Sequence, residues 1–186
     1  MIRFEKVSFE QYLEARRSTD KTIFDDDIED VKQEYDNIKL PKRSTSGSAG
    51  YDFFAPFDFT IFAKANTTIP TGIRWVTDRD DVVLICCPRS GLGFKFGTRL
   101  RNTIGVIDSD YCASDNEGHI MLKITAEVDK PISAGMAIMQ GIILPYIKTD
   151  DDTSTENRNG GFGSTDKNTN TKKHMILNEE VVYNER

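Results

Sequence analysis

Residues 119–146 read HIMLKITAEVDKPISAGMAIMQGIILPY, and their pattern indicates the class of the fold. Two apolar runs, 119–128 and 137–146, are joined by a segment that contains Pro131 and Gly135. Short apolar or β-branched runs that are divided by turn-forming residues are typical of β-strands, and no helical period of useful length is present. We therefore predict two strands here.

The same pattern extends toward the N-terminus as far as Leu40 and Pro41. Further candidate strands are separated by turn-forming clusters such as TDRDD (77–81). These strands are FTIFA (59–63), TTIP (67–70), GIRWVT (72–77), VVLICC (82–87) and RLRNTIGVID (99–108). We predict an all-β, barrel-like sandwich over this part of the chain, without further helices.

The two ends of the chain have different patterns. In SFEQYLEARR (8–17), Ser8 and Gln11 match a capping box, and DDDIEDVKQEY (25–35) has acids followed by apolar residues at helical spacing. We expect two short, peripheral helices. Beyond Tyr146 the sequence is polar and rich in Asn, Gly, Ser and Thr, a composition typical of a mobile segment. The predicted parts are a helical N-terminal extension (1–40), a β core (41–148) and a flexible C-terminal arm (149–186).

Composition excludes several classes of protein. A chain of 186 residues suits one domain, and its net charge of −6 argues against binding to duplex nucleic acid while leaving a small anionic ligand possible. Three cysteines without a CxxC pair fit free thiols in a reducing compartment. Two histidines are too few for a histidine-rich zinc site, so any metal is expected to be a hard ion held by oxygen. With no signal peptide or membrane-spanning stretch, we expect a cytoplasmic protein without a membrane partner.

The segment GVIDSDY (105–111) places Asp108 and Asp110 in an otherwise apolar run. If the whole segment were a strand, the two carboxylates would share one face. Buried carboxylates are costly without partners. The sequence leaves several partners open: a metal, an arginine, backbone amides or a ligand.

Two glycine-rich segments could hold phosphates. In PRSGLGFKFG (88–97), the glycines allow close backbone approach, Arg89 can clamp a phosphate and Ser90 can donate to it. A simple turn with Arg89 in a surface salt bridge is an equal alternative. In RNGGFGST (158–165), Phe162 could stack on a base, or the segment could be a flexible linker.

Two isolated polar residues lie in apolar surroundings. Asp52, in SAGYDFF (48–54), could cap a turn or serve as a third carboxylate for a divalent cation. Gln140 lies within a predicted strand and must find hydrogen-bond partners, either from the backbone or from a ligand.

Together these segments resemble the five ordered motifs of the homotrimeric dUTP diphosphatases (dUTPases). The motifs are SAGYD (48–52), PRSGLGFKFG (88–97), NTIGVIDSDY (102–111), GMAIMQG (135–141) and RNGGFGST (158–165). The N-terminal segment and CASDNEGH (112–119) are similar to the Gram-positive bacterial and phage forms of the family. The resemblance implies a β jelly roll, a trimer with shared active sites, and hydrolysis of dUTP to dUMP and pyrophosphate. That reaction limits uracil incorporation into DNA and supplies dUMP for dTMP synthesis.

The resemblance also implies roles for individual residues. Asp108 would be the general base for the water that attacks the α-phosphorus, with Gln140 and Ser90 near the α-phosphate. Mg²⁺ would be held mainly by the substrate phosphates and would reach Asp52 through water. The β-hairpin that runs into the third motif would bind uracil, and Tyr111 would exclude a 2′-hydroxyl. The implied substrate-binding residues are Arg89, Ser90, Gly91, Asn102, Gly105, Ile107, Tyr111, Gln140, Arg158, Phe162, Gly163, Ser164 and Thr165.

Two other functions are compatible with the same sequence. A dCTP deaminase shares the jelly roll, but the complete fifth motif and the IDSDY segment favour the dUTPase. A nucleotide-sensing regulator on this fold would bind a protein partner, through CASDNEGH (112–119) or the C-terminal arm, and could also hydrolyse nucleotide.

Overall fold

The computed structural model describes residues 1–155 of the chain. Within these residues it contains three α-helices, α1 (Phe9–Thr19), α2 (Ile28–Asp36) and α3 (Ser90–Phe96). The twelve strands of the same residues are β1 (Ile2–Lys6), β2 (Lys42–Arg43), β3 (Tyr51–Phe54), β4 (Phe59–Ile61), β5 (Thr67–Pro70), β6 (Ile73–Thr77), β7 (Val82–Pro88), β8 (Arg99–Leu100), β9 (Gly105–Ile107), β10 (Met121–Thr125), β11 (Lys130–Ile132) and β12 (Ala137–Pro145). The all-β prediction for the core is confirmed.

The largest sheet has five strands in the order β2-β3-β12-β7-β9. Strand β12 lies in its middle and pairs antiparallel with β3 on one side and β7 on the other. The other ladders among the described residues are β5-β10-β8, β1-β6 and β11-β4. Because β12 joins β3 to β7, residues that are far apart in the sequence become neighbours at its start.

The core lies between these sheets. Along β7, Val82, Leu84 and Cys86 are buried while their neighbours are partly exposed, which is the alternation of a strand with one face on a core. Phe53 and Trp75 are fully buried in the same cluster. Cys86 is therefore a core residue, whereas the neighbouring Cys87 is partly exposed.

The predicted N-terminal helices form, but they are not peripheral. Tyr12 of α1 and Val31 of α2 are buried in the main core. A Cβ atom at Gly72 would lie 2.3 Å from Cδ1 of Ile38 and 3.2 Å from the Tyr12 ring, so Gly72 permits this packing. The segment also begins with β1, a strand that the sequence analysis did not predict and that pairs with β6 along its whole length. Residues 1–40 are thus built into the β core.

Two further predictions from the sequence were wrong. Residues 99–108 do not form one strand: β8 pairs with β10, β9 pairs with β7, and the turn 101–104 links the two sheets. Thr103 in that turn has a φ of 65°. The segment after β7 is the helix α3 rather than a glycine loop. No α-helix in residues 1–155 has the length and apolar character that crossing a bilayer requires.

Candidate active site

A cavity of about 240 Å³ lies beside β9, and we call it the β9 pocket. Its lining comes from β7, β8, the turn before β9, β9 itself, the 3₁₀ turn at Tyr111, β10 with the residue before it, and β12. The lining residues are Cys86, Leu100, Asn102, Gly105, Val106, Ile107, Tyr111, Ile120, Met121, Leu122, Lys123 and Met139. The structure therefore brings together the four residues predicted to contact the nucleoside: Asn102, Gly105, Ile107 and Tyr111.

Strand β9 is an edge strand of the five-stranded sheet. Among the strands of residues 1–155, only β7 pairs with it, in the register Leu84 with Ile107 and Cys86 with Gly105. The backbone groups on the other edge of a strand are available to a ligand. Since the three residues of β9 all line the pocket, main-chain N–H and C=O groups border it.

Gly105 lies in the lining of the β9 pocket, at the point where β9 pairs with Cys86 of β7. A Cβ atom at this position would lie 3.2 Å from Cβ of Cys86, a tight contact. Glycine therefore lets β9 approach β7 closely. Burial raises the pKa of the Cys86 thiol to about 12, so this thiol is protonated near neutral pH and does not act as a nucleophile in the pocket.

Tyr111 forms one wall of the pocket and is buried, with 7% of its surface exposed. It lies in a 3₁₀ helix, Tyr111–Ala113, that follows β9. Its hydroxyl donates to the backbone oxygen of His119 at 3.2 Å and accepts from the side-chain amide of Asn116 at 2.9 Å. Two partners on one short loop thus fix the orientation of the ring.

Asp108 and Asp110 do not alternate along one strand, because β9 ends at Ile107. The Tyr111 N–H donates to the backbone oxygen of Asp108 at 3.2 Å, and the Ala113 N–H donates to that of Asp110 at 3.0 Å. The Asp108 residue is half-buried, whereas Asp110 is exposed. The two acids therefore lie in different environments, and the shared face expected from strand alternation is not formed.

A second group of predicted residues lies where β3, β12 and β7 meet; we call Asp52, Arg89, Ser90 and Gln140 the β12 cluster. Gln140 pairs in register with Asp52 on one side and with Cys87 on the other. The Arg89 Nε atom lies 3.3 Å from Oδ1 of Asp52. Asp52 therefore does not cap a turn; its carboxylate forms an ion pair with Arg89.

Hydrogen bonds hold the other parts of the β12 cluster. The Ser44 hydroxyl donates to Oδ2 of Asp52 at 2.7 Å. The Gln140 amide nitrogen makes a long contact of 3.5 Å to the backbone oxygen of Pro88. A Cβ atom at Gly50 would lie 2.8 Å from Oε1 of Gln140, so Gly50 provides the space for this side chain.

Ser90 and Gly91 begin α3 and are both exposed. A Cβ atom at Gly91 would meet nothing within 4 Å, so the space beside this residue is open. Arg89, directly before the helix, has 41% of its side chain exposed. These residues can therefore reach a ligand from the surface.

The described residues contain no group of three or more His, Cys, Asp or Glu that could hold a metal ion. Asp52 is 13% exposed and is already held by Arg89 and Ser44. One carboxylate in this setting fits an ion that is held mainly by another molecule and reached through water, as Mg²⁺ often is. It does not fit a metal caged by this chain alone.

Within residues 1–155, the lining of the β9 pocket includes no member of the β12 cluster. The structure thus places Asn102, Gly105, Ile107 and Tyr111 in the pocket lining and leaves the four members of the β12 cluster outside that lining. Five predicted residues lie outside the described residues: Arg158, Phe162, Gly163, Ser164 and Thr165.

Sequence reasoning missed several residues of the site. Asn116 and His119 were not selected, although they hold Tyr111, and Ser44 was not selected, although it holds Asp52. Met139 was not selected either, and it lines the β9 pocket. The sequence did carry one signal, because a histidine that directly precedes an apolar run is often buried with a hydrogen-bond partner.

The chain is similar in sequence to known proteins over most of its length. A family model described as dUTPase matches residues 36–166. The chain is 38% identical over 143 residues to the deoxyuridine 5′-triphosphate nucleotidohydrolase of Lactococcus lactis, a match that covers 73% of this chain and 95% of that protein.

Solved structures show the same fold. The dUTPase of Streptococcus mutans superposes with a TM-score of 0.55 and 35% identity, covering 62% of this chain and 91% of the other. A dUTPase from phage φ11 of Staphylococcus aureus, described with a structural Mg(II) ion, gives a TM-score of 0.53 at 18% identity and covers 64% of this chain and 92% of its own. The jelly-roll prediction is therefore confirmed.

Proposed function

The chain belongs to the dUTPase family and is a dUTP diphosphatase, and we propose that it cleaves dUTP by attack of an Asp108-activated water on the α-phosphorus. The single observation that carries this proposal is the β9 pocket, whose lining contains the residues predicted to bind the nucleoside. One of these residues, Ile107, directly precedes Asp108 in the sequence. The product dUMP would supply dTMP synthesis, and removal of dUTP would limit uracil in DNA.

The β9 pocket is the proposed site of the base and sugar. Its volume of about 240 Å³ is below the range of roughly 300–1,000 Å³ that suits drug-sized ligands. A nucleoside fits this size, while the triphosphate would extend outside. Main-chain N–H and C=O groups of β9 match the acceptors and donor on the uracil edge. Cytosine has the opposite polarity at its 4-position and would leave buried groups unpaired.

Tyr111 is the proposed gate against ribose. Its ring cannot turn aside without breaking the bonds to Asn116 and His119. A 2′-hydroxyl on the sugar would then meet a fixed wall. Selectivity for dUTP over UTP would follow from this rigidity.

Asp108 is the proposed general base. In this mechanism its carboxylate takes a proton from water as the water oxygen bonds to the α-phosphorus and pyrophosphate leaves on the opposite side. Arg89, Ser90, Gly91 and Gln140 would bind and orient the phosphates, with Gln140 near the attacking water. Mg²⁺ bound to the triphosphate would supply charge neutralisation, with Asp52 as its water-mediated contact.

A homotrimer is the proposed assembly. It is supported by the lining of the β9 pocket, which within residues 1–155 includes no member of the β12 cluster, because a shared site can combine the pocket of one subunit with the cluster of another. The C-terminal arm of a third subunit would contribute Phe162 to stack on uracil. Arg158, Gly163, Ser164 and Thr165 would reach the terminal phosphate.

A substrate panel tests the proposal. Pyrophosphate release is measured with dUTP, dCTP, dTTP and UTP, each with Mg²⁺ and with a chelator. We expect release with dUTP and Mg²⁺ only. Equal turnover of dCTP would contradict the assignment of the β9 pocket, and full activity in chelator would contradict the role of Mg²⁺.

A further inference from the structure

The N-terminal helix α1 is joined to the loop that carries Tyr111. Ser8, the N-cap of α1, donates its backbone N–H to Oε2 of Glu117 at 2.7 Å and its hydroxyl to Oε1 at 2.5 Å. The same hydroxyl accepts from the Gln11 N–H at 3.1 Å. One carboxylate therefore binds the N-cap residue of the helix at two points, although the two residues are 109 positions apart.

The loop around Glu117 is tightly folded, so a displacement of Glu117 would also displace Tyr111. Glu117 has a φ of 58° and Gly118 a φ of 73°. A Cβ atom at Gly118 would lie 2.6 Å from Cα of Cys112 and 2.8 Å from the backbone oxygen of Tyr111. The residues on either side of this pair, Asn116 and His119, are the two partners of the Tyr111 hydroxyl.

His119 forms a second link between the loop and the N-terminal segment. Its ring is fully buried, lies 6.4 Å from the ring of Tyr12, and accepts from the Gly72 N–H at 2.8 Å. Gly72 in turn accepts from the Val7 N–H at 3.0 Å. The residues just before α1 and the first turns of α1 thus hold both ends of the segment 117–119.

Charge strengthens the contact between Ser8 and Glu117. Burial tends to raise the pKa of Glu117, but the hydrogen bonds from Ser8, together with the charge effects of Arg74 and His119, hold the pKa below its usual value. The carboxylate is therefore ionised near neutral pH, and hydrogen bonds to a charged acceptor are the stronger kind.

From this geometry we propose that Glu117, through Ser8, is a positioning residue that sets the selectivity of the enzyme for deoxyribose over ribose. The N-terminal segment then acts on the active site by holding the loop 111–119, and through it the Tyr111 ring. The inference rests on the proposed role of Tyr111 as the sugar gate. It assigns residues 1–40 a part in substrate choice.

Four variants test it: Glu117→Gln, Ser8→Ala, Ser8→Thr and, as a matched control, Glu5→Gln. Glu5 is also a carboxylate in a contact of the N-terminal segment, with Arg74 at 2.8 Å, but it lies on β1 and not on the loop. The measured quantity is the ratio of kcat/KM for dUTP to kcat/KM for UTP. We expect Glu117→Gln and Ser8→Ala to lower this ratio at least about fivefold, a usual size for coupling between sites. Ser8→Thr keeps the hydroxyl and Glu5→Gln leaves the loop intact, so both should keep the wild-type ratio.

The double variant Ser8→Ala/Glu117→Gln should lower the ratio by less than the product of the two single effects, because both changes weaken the same contact. An unchanged ratio in folded Ser8→Ala, even with reduced stability, would show that the contact is only structural and would overturn the proposal. An equal loss in Glu5→Gln would overturn it as well.

Hydrogen exchange gives a readout that does not need activity. Amides of residues 111–119 should exchange faster in Ser8→Ala than in the wild type, while those of β12 should not change. Wild-type exchange rates in the loop would refute the proposal even if the enzyme hydrolyses dUTP. A wild-type protein that releases no pyrophosphate from dUTP would instead refute the proposed function.

Discussion

The side-chain amide of Asn116 donates to the phenol oxygen of Tyr111 at 2.9 Å, and this bond fixes the wall of the β9 pocket. The Tyr111→Phe variant removes the oxygen and leaves the Asn116 amide with only its long contact to His119. We expect a loss of about 1–3 kcal/mol in the free energy of unfolding and a lower preference for dUTP over UTP. Urea unfolding and paired kinetics measure the two effects.

The control for this variant is Tyr146→Phe. Tyr146 also donates its hydroxyl to a backbone oxygen, that of Asp80, but it lies on the exposed surface. The Tyr146→Phe substitution should change stability and selectivity much less than Tyr111→Phe does. A Tyr111→Phe enzyme that behaves like this control would remove Tyr111 from the sugar gate.

The closeness of β9 to β7 predicts the effect of Gly105→Ala. The new methyl group would lie 3.2 Å from Cβ of Cys86 and would force the strands apart. We expect a loss of about 1–3 kcal/mol in stability, as for other overpacked sites, and a raised KM for dUTP. Gly47→Ala, where the methyl group meets nothing within 4 Å, should be neutral in both. Wild-type KM in Gly105→Ala would place the substrate elsewhere.

His119 predicts a pH dependence of stability. Burial lowers its pKa to about 4 from an ordinary value of 6.5, against an opposing effect of the nearby Glu117 carboxylate. Between these two values the unfolded chain binds more protons than the folded protein, so stability is lost as the pH falls from 6.5 toward 4. The full shift corresponds to about 3 kcal/mol.

The measurement for His119 is the free energy of unfolding from pH 7 to pH 4 in the wild type and in His119→Gln. The carboxylates of the chain also titrate in this pH range, but they do so in both proteins. The difference between the two curves of unfolding free energy against pH therefore isolates His119. We expect a flatter curve for the variant. Parallel curves would show that His119 is protonated equally in the folded and unfolded states.

From the position of Asp52 we predict that its substitution changes the Mg²⁺ requirement of the enzyme without changing the fold. Asp52→Asn should weaken the proposed water-mediated contact to Mg²⁺, so the Mg²⁺ concentration for half-maximal activity should rise severalfold. Its contact with the partly exposed Arg89 contributes only about 0–1 kcal/mol, so stability should change little. Asp81→Asn, which breaks the exposed pair of Asp81 and Arg79, is the matched control and should leave the Mg²⁺ requirement unaltered.

Sequence predicted β4 to β7, β10 and β12 because each has a clear local pattern, whereas β2 and β11 were not predicted. The run VVLICC became β7, with Val82, Leu84 and Cys86 inside. Helix α3 was missed because its glycines have low helix propensity and mask the pattern. Strand β1 was missed because five residues of mixed polarity carry little periodic signal, and its partner β6 lies about seventy residues away.

The individual motif residues could be located from the sequence, but their supports could not. Asp108, Gln140 and Tyr111 lie in recognisable motifs, whereas the partners of Tyr111 depend on how the loop 111–119 folds back. The contact of Ser8 with Glu117 joins residues 109 positions apart and leaves no local signal in either. The packing of α1 on the core was missed for the same reason.

The most direct test of the account is the rate of pyrophosphate release from dUTP in Asp108→Asn beside Asp110→Asn. Asn keeps the shape of each side chain and removes the carboxylate, and Asp110 serves as the control because we assign it no catalytic role. We expect Asp108→Asn to bind a non-hydrolysable dUTP analogue normally and to lose about 10²–10⁴-fold in rate, while Asp110→Asn stays close to the wild type. A wild-type rate in Asp108→Asn would contradict the mechanism.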